Sequence, residues 1–520
     1  MTSENTAIKV PGQIANGKPH LTVFKKTEPQ ANRLLLVVSV TAALVGLITY
    51  YMRNAIVDDS YIYAKVAGNI LGGNGWSYNA KDFINACSGP LYAIMLLVPM
   101  MLGISAKASL LLTYALGLWA SSVFLWMILR KRSLYLAAAG VLVLLSNTTL
   151  LKSFGMETSC GVAVLLAVAW LYETHPSRQV LLGTLIGLGH LIRPELALLL
   201  PLIVLLELGI NRRLLWKACL ASAGIFLIWT SFSYFYFGSV MSHSVKVKSI
   251  QGSIGWWAMQ PAYYKDFLSK PTYPIVCFAL AAVGFLSLAL SISRNHVAAF
   301  ILSFYAISLV CLYTLARAPL GYFWYNAPAM LGVNVALLFG LDLIFRRLPH
   351  KSAGVQAVFA LALAGFATEF GMERLRIKPS DKGCSLTAAF PPPELDPSYR
   401  CGAEYLAAAT YINQNTPSTV RVAMTEIGYL GFYSDRKVVD IHGLIHPEAL
   451  EAMIQQKAGW WFTGPNYPEV IVAHEPSWPA EPGPNPQWWP PQLYPAFQEN
   501  YVKKVQYGDV AVWFLKSAFA

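Results

Sequence analysis

The sequence predicts a polytopic α-helical membrane protein of about eleven spans, followed by an α/β domain outside the membrane. Two observations carry this. Hydrophobic residues make up 55% of the 520 and charged residues only 13%, with a mean hydropathy of +0.46. Charge-free windows long enough to cross about 30 Å of hydrocarbon recur up to residue 370, after which proline and charge become more frequent.

Residues 1–33 are mostly polar, with Lys9, Lys18, Lys25, Lys26 and Arg33, and read as a disordered cytoplasmic tail with no cleavable signal. Spans are predicted at Leu34–Met52, Ala108–Leu129, Leu134–Leu150, Thr158–Tyr172, Ala218–Phe237, Pro274–Ile292, Val297–Ala316, Ala327–Phe345 and Ala353–Phe370. Two stretches need a decision. Pro90–Ile104 is too short to span and is read as a helix lying on the outer surface, within a first exterior loop of residues 53–107. Leu181–Ile210 is too long for one helix and is read as two short spans meeting at Arg193-Pro194. With those choices Arg130-Lys131-Arg132, Arg178, Arg212-Arg213, Arg294 and Arg346-Arg347 all fall on the cytoplasmic side of a transmembrane domain over 34–370. Arg374, Arg376 and Lys378 run against the same rule.

Residues 371–520 are predicted to form an exported α/β domain. Helices are expected at Ala403–Gln414 and His446–Gln456, and strands at Val420–Thr425, Val438–Ile441, Val470–Ala473 and Val510–Phe514, with a Pro/Trp-rich loop over Pro479–Gln492. The net charge of +12 reports first on loops held inside; no basic helix with interleaved aromatics supports a nucleic-acid partner. The seven cysteines form no Cys-x-x-Cys pair, and Cys384 and Cys401 stand where a disulfide is permitted. No cofactor is expected, and a divalent metal is left open.

The unusual polar residues gather on the exterior side of this topology. Asp58-Asp59 follows the first span directly, a costly place for two carboxylates without a use. With it lie Gly155-Met156-Glu157-Thr158, Arg193-Pro194-Glu195, His243-Ser244-Val245-Lys246-Val247-Lys248, and Arg317 ahead of Gly321-Tyr322-Phe323-Trp324-Tyr325. A base, several cations and an aromatic shelf suit deprotonation of an acceptor hydroxyl while a phosphate leaves. Asp58 is then the general base, with Asp59 orienting or capping. Arg193, His243, Lys246, Lys248 and Arg317 are candidates for the phosphate, and Glu157, Glu195, Tyr322, Trp324, Tyr325 and His442 for sugar or acceptor. Plainer readings stand beside these. Asp58-Asp59 caps a helix starting near Ser60, Lys246 and Lys248 anchor at the lipid interface, the aromatics form an interfacial belt, Glu157 sits at a helix start, and His442 belongs to a domain core.

The run Asp58-Asp59-Ser60-Tyr61-Ile62, followed by Asn69-Ile70-Leu71-Gly72-Gly73-Asn74-Gly75-Trp76-Ser77-Tyr78-Asn79, resembles the opening of bacterial GT-C glycosyltransferases of the "DDAYI…GxGxxYN" type. Ser88-Gly89-Pro90-Leu91-Tyr92, Gly155-Met156-Glu157-Thr158, Arg193-Pro194-Glu195, Phe237-Gly238 with His243-Ser244 and Lys246, and Trp324-Tyr325 with Ala327-Pro328 continue the similarity. So do Glu426-Ile427-Gly428-Tyr429-Leu430-Gly431-Phe432-Tyr433-Ser434 and Asp440-Ile441-His442-Gly443-Leu444. The resemblance implies a GT-C-like transmembrane domain and transfer of a sugar from a polyprenyl-phosphate donor to a glycan, lipid or protein acceptor. It places this on the outer face of the cytoplasmic membrane, with the first acid of the first exterior loop, Asp58, as base. Mycobacterial terminal arabinofuranosyltransferases are the nearest relatives it suggests, making arabinofuranose the candidate sugar. The chain departs from the pattern at Ser60, at Ser88-Gly89-Pro90 and at Met241, which bears on the sugar. A polyprenyl-linked oligosaccharide polymerase or ligase is the nearer rival. A lipid or sugar transporter is the other, although neither inverted repeats nor midplane charges are visible.

Overall fold

The computed structural model describes residues 28–254, 273–290, 296–316, 323–345, 402–455, 457, 459–462, 467–485 and 489–519. The Ala353–Phe370 span, the first 27 residues, Arg294, Arg317, Tyr322, Arg346-Arg347, the Arg374–Lys378 segment and Cys384 and Cys401 lie outside them. The first helix, α1, is Glu28–Met52. Two shorter helices, α2 (Asp58–Leu71) and α3 (Pro90–Met101), come next. Then follow α4 (Ala106–Leu129), α5 (Leu134–Leu145), α6 (Thr148–Lys152), α7 (Thr158–Thr174), α8 (Gln179–Ile192), α9 (Leu199–Asn211) and α10 (Trp216–Phe237). Beyond them lie α11 (His243–Ser253), α12 (Tyr273–Leu290), α13 (Val297–Leu315) and α14 (Ala327–Phe345).

Seven helices among the described residues are long and apolar enough to cross a membrane. The shorter apolar helices α7, α8 and α12 lie among them, so the expected spans other than Ala353–Phe370 each have a helix. Large apolar side chains such as Phe235, Ile228 and Leu47 point outward, as a lipid-facing surface requires. The chain is a multi-pass membrane protein. Its helices approach through small residues: a Cβ on Gly117 of α4 would lie 2.7 Å from the Cys160 nitrogen of α7, and one on Gly284 of α12 only 1.9 Å from the Ala336 oxygen of α14.

The break in the long apolar stretch has a local cause. Pro194 forces Arg193 out of the helical region, to φ −146° and ψ 119°, which ends α8. A 3₁₀ turn over Pro194–Leu198 then leads into α9. Among the described residues, the basic loops share one end of the bundle. Lys131 pairs with Glu173, whose other oxygen accepts from the Ala298 amide at 2.8 Å, and Arg132 reaches Asp342 at 2.7 Å. The opposite end carries α2, α3 and the C-terminal domain. Short α3 packs against α2, the start of α4 and the end of α8, burying Tyr92, Ala93 and Leu96 and exposing Val98 and Met101.

The C-terminal domain contains α15 (Ala403–Asn415), β1 (Arg421–Met424), α16 (Tyr429–Tyr433), β2 (Lys437–Asp440), α17 (Pro447–Ile454), β3 (Val470–His474), α18 (Leu493–Asn500), β4 (Tyr501–Tyr507) and β5 (Val510–Leu515). The sheet order is β2-β1-β3-β5-β4, with β1 parallel to both neighbours and β5 antiparallel to both of its own. Every predicted strand is present. Edge strand β4 was not expected, because the adjacent exposed Lys503 and Lys504, at a register shift in the strand, break the alternation. In open sheets with parallel strands, sites form beyond the carboxyl ends of those strands. Glu426, Asp440-Ile441-His442 and His474 occupy those ends, and the first of them meets α2.

Candidate active site

The glycine-rich run between α2 and α3 docks the C-terminal domain. Gly75 turns the chain at φ 74°, where a Cβ would strike Phe83 and Tyr236. Asn69 closes the turn by donating to the Ser77 and Tyr78 carbonyls at 3.0 and 2.7 Å. Asn79 then pairs with Val438 of β2 as a neighbouring strand would, donating to its carbonyl at 3.0 Å and accepting from its amide at 2.9 Å. Tyr78 donates to the Ile427 carbonyl, Tyr429 to the Ile56 carbonyl at 2.8 Å, and Lys65 to the Gly431 carbonyl. Burial lowers the Lys65 ammonium to about 8.

Asp58 and Asp59 open α2, whose N-cap Val57 supplies no side-chain hydrogen bond. Their charge suits that end of the helix dipole, but capping does not account for where the carboxylates go. Asp58 reaches across to the C-terminal domain. Its Oδ2 accepts from the Gly428 amide at 2.8 Å, and its Oδ1 from the Tyr429 amide at 2.5 Å. The Glu426 side chain is hydrogen-bonded to it as well. A Cβ on Gly428 would lie 1.9 Å from the Asp58 carbonyl oxygen and 2.4 Å from Oδ2, so this approach requires glycine. Burial, reinforced by the Asp59 charge, raises Asp58 to about 6 against the pull of its donors. Burial and the Asp58 charge hold the Glu426 carboxyl far above the usual range.

A string of contacts runs from Asp59 along the end of the bundle that carries the C-terminal domain. Asp59 pairs with Lys248 of α11 at 3.0 Å, and the Lys248 ammonium stands 5.6 Å from the Trp324 ring centroid. Trp324 packs with Val57, Met156 and Tyr325, and Tyr325 lies 5.8 Å from the Arg193 guanidinium carbon. Arg193 is 2% exposed and donates to Glu195, to Glu157 at 3.1 Å and to Thr158 at 3.2 Å. Asp58, Asp59, Lys248, Trp324, Tyr325, Arg193, Glu157 and Glu195 therefore share one region.

The remaining candidates are placed differently. His243 has Nε2 3.0 Å from the carbonyls of both Gly443 and His446, a geometry that puts the proton on Nε2 and latches α11 to the C-terminal domain. Burial lowers its pKa, keeping the ring neutral. Lys246 donates to Ser239 at 2.8 Å. His442 lies within the C-terminal domain, 3.1 Å from the Pro479 carbonyl, and burial lowers it to about 4. Glu426 and Gly428 stand within a motif in the sequence, but the sequence alone does not assign them to the site. The signal available was an acid at the carboxyl end of a strand, followed by glycine.

Arg193 neutralises two buried carboxylates. Removing one partner of such a network leaves unpaired charge behind. Arg193→Ala is expected to lower stability by about 3–5 kcal/mol, read as a fall in the thermal midpoint in detergent. An unchanged midpoint together with weakened donor binding would instead assign Arg193 to the donor phosphate.

Residues 397–514 match a family described as a domain of unknown function, DUF8728. No curated protein matches the chain. Among solved structures, ArnT from Cupriavidus metallidurans in the apo state is similar with a TM-score of 0.57 at 14% identity, over 94% of this chain and 99% of that one. The apo oligosaccharyltransferase of Archaeoglobus fulgidus has a TM-score of 0.50 at 13% identity, over 85% of this chain and 69% of its own. The arabinofuranosyltransferase AftD from Mycobacteria, of which this chain spans 40%, reaches 0.46 at 14% identity.

Proposed function

Given that this chain has the fold of the GT-C glycosyltransferases, we propose that it transfers a sugar from a polyprenyl-phosphate donor to an acceptor hydroxyl, with Asp58 as general base. The observation that carries the reading is the position and state of Asp58. It stands at the start of α2, where the bundle meets the C-terminal domain, with a carboxylate raised to about 6. Such a group is ionised at neutral pH yet basic enough to take a hydroxyl proton in the transition state. The acceptor O–H gives its proton to Asp58 as its oxygen bonds to the anomeric carbon. The bond from that carbon to the phosphate oxygen breaks, and polyprenyl phosphate leaves with the electron pair. Lys248, beside Asp59 and over Trp324, is the described cation best placed for the developing phosphate charge. Arg317 remains a candidate for the same task. The motif resemblance makes arabinofuranose the first donor to try.

The basic loops described at the opposite end of the bundle support an exterior reaction face. Reporter fusions after Arg213 and at Ala520 are expected to report opposite compartments; the same compartment for both would undo the shared face. The activity is tested with purified protein and decaprenyl-phosphate-linked sugars, following release of decaprenyl phosphate and labelling of an acceptor. Donor cleavage coupled to acceptor labelling is expected. Donor moved across a vesicle membrane without cleavage would make the protein a transporter. Transfer only from an oligosaccharide diphosphate would make it a ligase.

A further inference from the structure

The membrane domain supplies Asp58, but the groups that touch its carboxylate belong to the other domain. The loop from Glu426 to Tyr429 leaves the carboxyl end of β1 and folds over the start of α2, giving Asp58 two amide donors and the Glu426 side chain. Glycine at 428 brings the backbone close enough for this. The strand end is itself held in place. Thr425 donates to Glu481 at 2.7 Å. The Glu481 carboxylate also accepts from the His474 amide at 2.8 Å and the Trp478 amide at 2.9 Å, with its other contact 2.8 Å from His474 Nδ1. His474 in turn stacks on Trp478 and meets the Tyr405 hydroxyl at 2.9 Å. Glu426 is thus delivered by a buried, fully bonded framework, and its carboxyl meets another carboxyl.

Two ionised carboxylates in hydrogen-bonding contact would repel, so a proton must lie between them. We infer that Glu426 is the positioning partner of Asp58: its carboxyl, carried across the domain boundary by the 426–429 loop, retains the pair's proton and donates it to the Asp58 carboxylate in a hydrogen bond. This rests on the reading of Asp58 as the base. The donated bond, with the two amides, fixes the Asp58 oxygens and keeps Asp58 the more acidic member, leaving it ionised and available. The groups acting on the pair are Asp59 and, through it, Lys248 from the membrane domain, Tyr78 from the first exterior loop, and Tyr405 and Glu481 from the C-terminal domain. Asp59 and Glu481 disfavour a second negative charge there, which helps retain the proton on Glu426.

The test uses full-length protein in detergent with two readouts. Infrared difference spectra at pH 8 read the proton without any turnover. A protonated-carboxyl band is expected in the wild type and absent in Glu426→Gln; its persistence in that variant, or its absence from the wild type, would overturn the inference. The pH–rate profile with a decaprenyl-phosphate-linked pentose reads its consequence. Glu426→Gln still donates a hydrogen bond, so it should retain turnover near wild type and lose any fall in rate on the alkaline side. Glu426→Ala has no donor. Its rate should fall about tenfold to a hundredfold, the effect of one lost hydrogen bond to a charged group, and its acid limb should move to higher pH. Equal losses in both variants with unmoved limbs would make Glu426 merely structural and overturn the proposal. The infrared band without sugar transfer by the wild type would leave the pair standing and remove the transferase reading.

Discussion

Asp58→Asn is expected to lower the transfer rate by about 10²–10⁴-fold, the usual cost of losing a positioned base. The substitution keeps size and one acceptor oxygen, so one of the two amide bonds from Gly428 and Tyr429 survives. The other amide then faces an NH₂ group, and some loosening of the domain contact is expected alongside the chemical loss. Donor binding separates the two effects, since a protein that binds donor normally and fails to transfer has lost the base. Asp59→Asn gives up only the ion pair with Lys248 and should retain more activity. Near-normal turnover in a folded Asp58→Asn protein would remove Asp58 from the reaction, and the opposite ranking would move the base to Asp59. In the wild type the rate should rise with pH through about 6 and level off above it, because the carboxylate form, favoured as pH passes the raised value, is the active one.

Gly428→Ala is expected to be nearly as damaging by a purely steric route. Its methyl carbon would lie 1.9 Å from backbone oxygen and 2.4 Å from the Asp58 carboxylate, and neither can yield without moving α2 or the loop. Overpacking of this kind costs about 1–3 kcal/mol, and here the displaced element carries the base. Turnover should collapse while most of the fold survives, with increased protease access to the C-terminal domain. Gly224→Ala, in α10 with nothing within 4 Å of the new carbon, is the matched control and should change neither. Full activity in Gly428→Ala would mean that Asp58 works free of the C-terminal domain.

Much of this architecture was legible in the sequence because membranes impose one-dimensional rules. Apolar length gave the helices, and the Arg193-Pro194 break followed from proline sterics. Strands β1, β2, β3 and β5 were visible as apolar runs between turn residues. The placement of Asp58 and Asp59 just beyond the first long apolar helix followed from the same rules. What a single sequence does not encode locally is partnership across distance. Glu195 stands beside Arg193 in the chain, but nothing there announces that Glu157, 36 residues away, shares it as well, so an ion-pair centre reads from sequence as a phosphate-binding cation. Nothing near Asp58 points to Gly428, 370 residues away. Asn79 and Tyr78 belong to a motif in the sequence, but their task of docking a second domain is visible only in three dimensions.

That separation of 370 residues has a consequence for how the protein is made. The chain emerges from its N-terminus, so the segment bearing Asp58 is synthesised and inserted long before the loop that receives it exists. Until the last spans are in place and β1 and its loop have folded, the carboxylate lacks its amide donors and Glu426. Contacts of such long sequence separation form late, after the intervening loops have closed. The site is thereby completed by the final stage of biogenesis: an unfinished or misinserted polypeptide carries the acid but not its setting.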